Sequence, residues 1–383
     1  MHNWLSSAEA LALLNVRAQT LYANVSRGKV RTKADPNDSR KSLYHAGDIA
    51  RLSDTRRGPK RIEELMSEAT GWGQPIMATS ISTVANDTLL YRAEDAVGLS
   101  KSHSLESIAS LLWRCKHVVL SAPASTAGDT TDYPATLVFS RALSAISQLA
   151  YIAAPSLELP LSELQTEAKA LLSTLICSAF GSTVIRAGGD ISAQISHAWQ
   201  RPQAETHIRQ ALCLLADHEL NASTFATRVV ISTGASLASG VLAGLSALGG
   251  PLHGRATQEF NSLVCESTAH GAQKAVSDWL TQKKRLPGFG HPLYPNGDAR
   301  ALAILQGLPR PDSMAELEYW GTQLSGEHPN IDYALGCLAL VYDLPGDAPL
   351  ALYIASRCVG WLAHALEQVE NGNLIRPRAR FIN

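Results

Sequence analysis

No run of about 20 apolar residues is free of polar interruption, which leaves no candidate for a membrane-spanning helix. The nearest, Ala222 to Leu248, carries Arg228 and many Ser, Thr and Gly residues, and reads as a buried helical hairpin. The first residues, MHNWLSSAEA, lack both a basic n-region and an apolar h-region, so no secretory signal is expected. The six cysteines (Cys115, Cys177, Cys213, Cys265, Cys337 and Cys358) lie singly in apolar surroundings, with no CxxC pair. They read as free thiols of a reducing cytoplasm, and no metal site is expected. There is no GxGxxG after a strand, no phosphate-binding loop and no internal repeat. Aromatic residues make up only 6%, whereas Ala, Leu and Ser abound, which favours closely packed helices over sheet sandwiches.

What is present is enough for one large or two moderate domains: 383 residues, 45% of them hydrophobic. The formal net charge of −1 hides an uneven distribution. Residues 1–61 hold 12 Lys and Arg against 5 Asp and Glu, and the remainder holds 21 against 29.

Residues 1–61 read as a compact head. Ser6-Ser7-Ala8-Glu9 is a capping-box pattern opening a helix with Ala10, Leu11, Leu13 and Leu14 as its apolar face. After a turn at Asn15-Val16, a second helix from about Arg17 turns Leu21, Tyr22 and Val25 inward and stops at Gly28. Two strands around the ADPNDSR turn follow, and then a third helix capped by Asp48 and ending in Arg56-Arg57-Gly58-Pro59-Lys60-Arg61. This stretch resembles the winged helix-turn-helix of the MerR/excisionase type, which implies a second helix in the DNA major groove and a wing on the phosphates. Arg17, Gln19, Thr20, Asn24, Arg27, Lys29, Arg31 and Lys33 are then the contact candidates. Such a module also serves for docking or oligomerisation, and the residues leave both uses open.

Residues 62–75 read as a short helix and a Gly/Pro link, and Ser80 to Arg92 as a β-hairpin around Asn86-Asp87. From Ser104 onward almost every segment has helical period. Four segments set His, Arg or Asp beside Gly- or Pro-rich turns. ADHELNASTF ends a helix at His218 and starts another with a cap at Ser223-Thr224. GGPLHG presents His253 on a tight loop, and PGFGHPLYPNGDARA holds His291 and Arg300. PNIDYALG puts Asp332 in the first turn of a helix. Reactive side chains on turns of a rigid helical scaffold are what an active site needs.

In this order, and with the terminal SRCVGWLAHALEQVENGNLIRPR (Ser356 to Arg378), these segments resemble the citrate synthase family, citrate and 2-methylcitrate synthases alike. The resemblance runs from about Ser80 to the C-terminus. It implies a mainly α, two-domain helical body behind the head at 1–61, with a large domain over 62–255 and 346–383 and a small one over 256–345. It also implies condensation of an acyl-CoA with oxaloacetate. Asp332 would remove the proton alpha to the thioester, and His253 would hold the enolate oxygen. His291 would polarise the oxaloacetate carbonyl, and His218 would make a further contact to it. Arg300, Arg357 and Arg376 would clamp the dicarboxylate, with Arg376 supplied by the partner of a homodimer. CoA enters only as part of the substrate, so no cofactor is expected.

The residue types suit that task on their own chemistry. A carbon acid alpha to a carbonyl is so weak that base and enolate donor must act in one step. Planar guanidinium forks match carboxylates. One departure stands out: Arg255 follows His253-Gly254 where relatives carry glycine, and its side chain either crowds the CoA chain or reaches a CoA phosphate. The basic run Lys283-Lys284-Arg285 has the same two readings, phosphate attraction or a solvated face. Preference for acetyl-CoA (citrate synthase) or propionyl-CoA (2-methylcitrate synthase) stays open, since one methylene is worth about 1–3 kcal/mol in a pocket. A third reading is a DNA-binding regulator whose synthase-like body senses its ligands.

Overall fold

A computed structural model describes residues 4–14, 16–36, 38–56, 77–123, 137–186, 189–282 and 285–378. The chain divides into two compact units. One comprises Met1–Ala78, Glu266–Leu286 and Glu316–His328; the other comprises Thr79–Cys265, Pro287–Ala315 and Pro329–Asn383.

In the first unit, strand β1 (Trp4–Leu5) leads into helices α1 (Ser7–Leu14) and α2 (Ala18–Ser26), strands β2 (Thr32–Asp35) and β3 (Asp38–His45), and helix α3 (Ala46–Arg56). The three strands form one antiparallel sheet in the order β1-β3-β2. The capping box at the start of α1 forms as its residue types require. Glu9 N–H donates to Ser6 Oγ at 3.3 Å, and Glu9 Oε2 accepts from Ser6 N–H at 2.8 Å. Gly28 closes α2 with φ +69°, the left-handed conformation of a helix C-terminus.

The head's core is Ala10, Leu14, Leu21, Val30, Tyr44 and Ile49. Leu13 and Tyr22, expected inside, are exposed, because the inward stripe of α1 runs through positions 10 and 14 and that of α2 through 21, 24 and 25. Asp48 does not cap α3 but lies in its first turn, where it accepts from Arg31 N and Arg31 Nε at 2.9 and 3.0 Å. Burial opposes the Asp48 charge, yet His45 and Arg31 hold its carboxyl well below the usual carboxylate range. The basic run after Arg56 and the helix and link expected over 62–75 lie outside the described residues.

The second unit begins with β4 (Ser82–Ala85), β5 (Thr88–Tyr91) and β6 (Glu94–Asp95), a small antiparallel sheet. Asn86 and Asp87 have φ of 50° and 62°, and Arg92 and Ala93 have 47° and 71°. Each pair makes the two-residue turn whose twist matches a hairpin. Helices then follow: α4 (Ala96–Ser100), α5 (Leu105–Trp113), α6 (Val138–Ile152), α7 (Leu161–Phe180), α8 (Ile191–Ala198), α9 (Glu205–Leu215), α10 (Ala222–Ile231), α11 (Leu237–Leu248) and α12 (Ala256–His270). Helices α14 (Ala299–Leu305), α16 (Ile331–Val341) and α17 (Ala348–Asn371) complete this unit, whereas α13 (Ala272–Gln282) and most of α15 (Asp312–Ser325) belong to the first. The hairpin expected over Ala222 to Leu248 is the α10–α11 pair. Among the described residues no helix is long and apolar enough to cross a membrane.

Helix α17 is the axis of this unit. It packs against α5, α7, α9, α10 and α11, and from Ala348 to Leu366 every residue is buried. A helix enclosed on all sides needs small residues where backbones meet. At Gly360 a Cβ would run into Ala216 O and Asp217 Oδ1, and Gly360 N–H donates to Ala216 O at 3.0 Å. That contact locks the middle of α17 to the end of α9, where the site begins.

Candidate active site

Residues 216–221 break the chain between α9 and α10. Asn221, rather than Ser223 or Thr224, is the cap of α10, with Oδ1 accepting from Thr224 N–H at 3.0 Å. Ser223 is thereby released from capping. Its hydroxyl donates to Asn221 Oδ1 at 2.7 Å, receives Trp361 Nε1–H at 3.0 Å and lies 2.8 Å from His253 Nε2. The turn after α11 thus presents His253 to a fixed oxygen. Burial, followed by the charge of Arg357, pushes the His253 ring down to about 4, so it is neutral at neutral pH.

On the other side, His218 Nε2 is 2.9 Å from Tyr294 Oη, and its ring meets that of His291 edge-on at 5.0 Å. His218 is held well below the ordinary histidine range by burial first, then by Arg300, His291, Arg357 and His253. His291 Nδ1 accepts Leu293 N–H at 3.1 Å. A backbone amide only donates, so the neutral His291 ring carries its proton on Nε2.

Asp298 organises the loop that follows. It caps α14 through Arg300 N–H and takes Arg300 Nε at 2.9 Å and Nη2 at 2.8 Å, a two-point pair of fully buried groups. It also accepts Ile331 N–H at 3.2 Å. Asn330 caps α16 through Asp332 N–H at 2.9 Å and donates Nδ2–H to Gly290 O at 3.1 Å. The first turn of α16, with Asp332 half-buried on it, is therefore stapled both to the residue before His291 and to the partner of Arg300.

Arg357 projects from the centre of α17. It is fully buried, with Nε on Leu215 O at 2.9 Å and its guanidinium carbon 5.0 Å from the centre of the Tyr353 ring. Among the described residues, its Nη1 and Nη2 have no hydrogen-bond partner. An unpaired buried guanidinium costs several kcal/mol, on the order of the penalty for any uncompensated buried ion, and such sites persist where an anion completes them. Behind it runs a paired network. Arg228 Nη1 donates to His364 Nδ1 at 2.9 Å, which puts that ring's proton on Nε2, 3.2 Å from Asp217 Oδ2.

Five of the seven residues singled out in the sequence therefore gather around paired rings, Tyr294 between His218, His291 and Arg300, and Tyr353 between His253 and Arg357. Asp332 is tied to them through its neighbours Asn330 and Ile331. Arg376 does not join them. It is exposed, and its neighbour Ile375 is bonded to Ser232 at the far end of α10 from Ser223, about 14 Å along the helix at 1.5 Å per residue. Sequence reasoning misses Asp298, Ser223, Tyr294 and Tyr353 as site residues. The D-x-R spacing of Asp298 and Arg300 is the one local signal for any of them. Arg255 is exposed, its guanidinium 5.3 Å from the centre of the Phe139 ring. Lys283 and Lys284 lie outside the described residues.

A family model described as "Citrate synthase, C-terminal domain" matches residues 70–378, most of the chain. The chain belongs to the citrate synthase family. It is 35% identical over 183 residues to citrate synthase 2 of Bacillus subtilis, which covers 45% of this chain and 49% of that protein. It is 31% identical over 183 residues to 2-methylcitrate synthase 2 of Corynebacterium glutamicum, again over 45% of this chain and 48% of the relative. The aligned part of the chain spans about half the length of the curated relatives it matches. Among solved structures, citrate synthase from Thermotoga maritima superposes with a TM-score of 0.68 at 25% identity, over 82% of this chain and 96% of that one. A ternary complex of citrate synthase from Thermoplasma acidophilum with carboxymethyl coenzyme A and oxaloacetate shares the fold, with a TM-score of 0.68 at 23% identity over 81% of this chain and 94% of that one. The body is thus the mainly helical citrate synthase fold.

Proposed function

We propose that the chain condenses an acyl-CoA with oxaloacetate and releases CoA. The observation that carries this reading is Arg357, fully buried within electrostatic reach of His218 and His253 and with both terminal nitrogens unpaired among the described residues, a ready receptor for a carboxylate. Arg300 commits Nε and Nη2 to Asp298, leaving Nη1 for a second contact to the dianion. Arg376 from the partner of a homodimer would close the clamp, because within one chain it is held at the wrong end of α10.

The chemistry then follows from the proton positions. His291 carries its proton on Nε2, from which it would donate a hydrogen bond to the oxaloacetate ketone and support the alkoxide as it forms and is protonated. Asp332 takes the proton from the carbon alpha to the thioester as electrons move into the carbonyl. His253 supports the resulting enolate oxygen through Nδ1–H, with Nε2 then accepting a hydrogen bond from the Ser223 hydroxyl. Asn221 Oδ1 already holds Thr224 N–H, so that turn of the hydroxyl leaves it paired. The enolate carbon bonds to the ketone carbon, the oxygen is protonated, and water then cleaves the thioester to give the tricarboxylate and CoA. Burial of His218, Arg300 and Arg357 keeps these contacts away from bulk water, which strengthens each of them.

The test is release of CoA thiol by the purified chain with oxaloacetate, comparing acetyl-CoA with propionyl-CoA. Turnover is expected, with the larger kcat/KM naming the thioester. A folded chain that turns over neither would overturn the reading. A second reading applies to the head. Arg17, Gln19, Arg27 and Lys29 are exposed along and after α2, which favours contact with DNA phosphates there. Asn24 drops out of that surface because it is buried, with Nδ2 on Thr20 O. Arg31 and Lys33 drop out because their side chains bind their own unit. Salt-dependent binding of duplex DNA, lost in a double Arg17/Arg27→Ala variant, is the expected result, and binding unaffected by that variant would exclude this face.

A further inference from the structure

His218 lies in a turn that is held from two sides within its own unit. On one side, residues 215–217 run along successive turns of α17. Arg357 Nε donates to Leu215 O at 2.9 Å, Gly360 N–H to Ala216 O at 3.0 Å, and His364 Nε2 to Asp217 Oδ2 at 3.2 Å. On the other side stands the β4–β5 hairpin, anchored by the fully buried Ile81, Leu89 and Tyr91. The hairpin is itself pinned to α17, since Ser80 N–H and Oγ both donate to Glu367 Oε1 at 2.8 Å.

Ser82 is where the hairpin meets the turn. Its oxygen accepts Glu219 N–H at 2.9 Å, and a backbone amide only donates, so the hydroxyl proton is directed at its other partner, Asp217 Oδ2. One hydroxyl thus ties the residue before His218 to the residue after it. Glu219 needs that hold. Its φ is +51°, in the left-handed region that a residue with a side chain rarely adopts, and such strain persists only where the surroundings impose it. Its carboxylate accepts Thr83 Oγ1–H at 3.1 Å and also the Val84 N–H, so β4 grips Glu219 at backbone and side chain alike. Asp217 N–H in turn donates to Tyr91 Oη at 3.2 Å. The His218 ring emerges between these grips, with Nε2 2.9 Å from Tyr294 Oη.

We propose that Ser82 is a positioning residue for the condensation: by joining Asp217 to Glu219 it fixes the backbone of His218, and with it the direction in which that ring meets oxaloacetate. Tyr91 and Gly360 hold the chain entering the turn, and Ser82 adds the link across it. Without that link Glu219 N–H loses its acceptor, and the strained backbone after His218 is free to relax. This rests on the condensation reading above, in which His218 contacts oxaloacetate.

The experiment uses the full chain and measures CoA release with oxaloacetate and the preferred thioester. It compares wild type, Ser82→Ala, His218→Gln, the double variant and the control Glu94→Gln, exposed on β6. Ser82→Ala is expected to raise the KM for oxaloacetate on the order of 10-fold, about the worth of one hydrogen bond to a charged group. The KM for the thioester should stay within about twofold, and Glu94→Gln should match wild type. The deciding readout is coupling. Because Ser82 acts through His218, adding Ser82→Ala to His218→Gln should change the KM for oxaloacetate by less than about twofold, although thermal melts show the same loss of stability in both backgrounds. A merely structural role would instead multiply the two losses. Ser82→Ala with wild-type KM, His218→Gln with wild-type KM, or independent losses in the double variant would each overturn the proposal while leaving the condensation reading intact. A wild-type chain that releases no CoA would overturn both. Should Ser82→Ala fail to fold, Glu219→Ala, at a partly exposed position, takes its place. A raised KM that vanishes in the His218→Gln background then supports the proposal, and a wild-type KM or an independent loss overturns it.

Discussion

Arg357→Met is expected to weaken oxaloacetate binding by about 2–4 kcal/mol, roughly 30- to 1000-fold, without lowering the melting temperature of the unliganded chain. The two halves of this result have one cause. In the free protein Nη1 and Nη2 of Arg357 are buried and unpaired, so its charge is a net cost that only an incoming anion offsets. Methionine keeps most of the volume under α17 and removes that cost, at the loss of the bond from Nε to Leu215 O and the contact with Tyr353. Calorimetric titration with oxaloacetate and a thermal melt on the same sample read both effects. A variant that binds oxaloacetate normally would show that the dianion is held elsewhere. A variant that merely unfolds would show that Arg357 is a packing residue.

The second large effect is expected at Asp332. Asp332→Asn should lower kcat by about 10²- to 10⁴-fold while oxaloacetate binding stays near wild type, because a general base contributes to the reacting carbon and not to the clamp. The amide keeps the shape, and the cap of α16 survives because it uses the backbone N–H of residue 332 and the side chain of Asn330. Steady-state kinetics with both substrates, beside the same calorimetric titration, separates the two quantities. Near-normal turnover would remove Asp332 from the chemistry, and joint loss of binding and turnover would mean that the first turn of α16 had collapsed.

Features of this fold are legible in the chain where their signal is local. Asn86-Asp87, Ser6-x-x-Glu9 and Gly28 each specify a turn or helix end through their own backbone preferences, and each does so in the structure. His218, His253, His291, Arg300 and Asp332 can be singled out because each lies near a Gly, a Pro or a helix start, whereas Arg357, in the middle of α17, is singled out by the family resemblance alone. Ser223 reads as a cap because its hydroxyl suits that task equally well, and only the placement of Trp361 and His253 against it assigns the other use. Tyr294 and Tyr353 carry no signal of their own, since what they separate is set by tertiary packing. The link from Arg31 to Gly326 spans 295 positions, and no periodicity in the head announces it. Lys33 and Arg31 look like phosphate contacts for the same reason: charge is visible in a sequence, while the carbonyl or carboxylate that consumes it is not.

If this site joins the alpha carbon of a CoA thioester to the ketone carbon of oxaloacetate, an isotope at that alpha carbon must end in a new carbon–carbon bond. Acetyl-CoA labelled with ¹³C at the methyl carbon is supplied together with oxaloacetate, and the label is followed by NMR as CoA is released. The methyl signal is expected to give way to that of a methylene carbon in a tricarboxylate, at a rate matching CoA release. Label appearing as acetate would contradict the condensation, because the thioester would then be hydrolysed without a carbon–carbon bond being made. So would an unchanged methyl signal in a folded chain that still binds oxaloacetate.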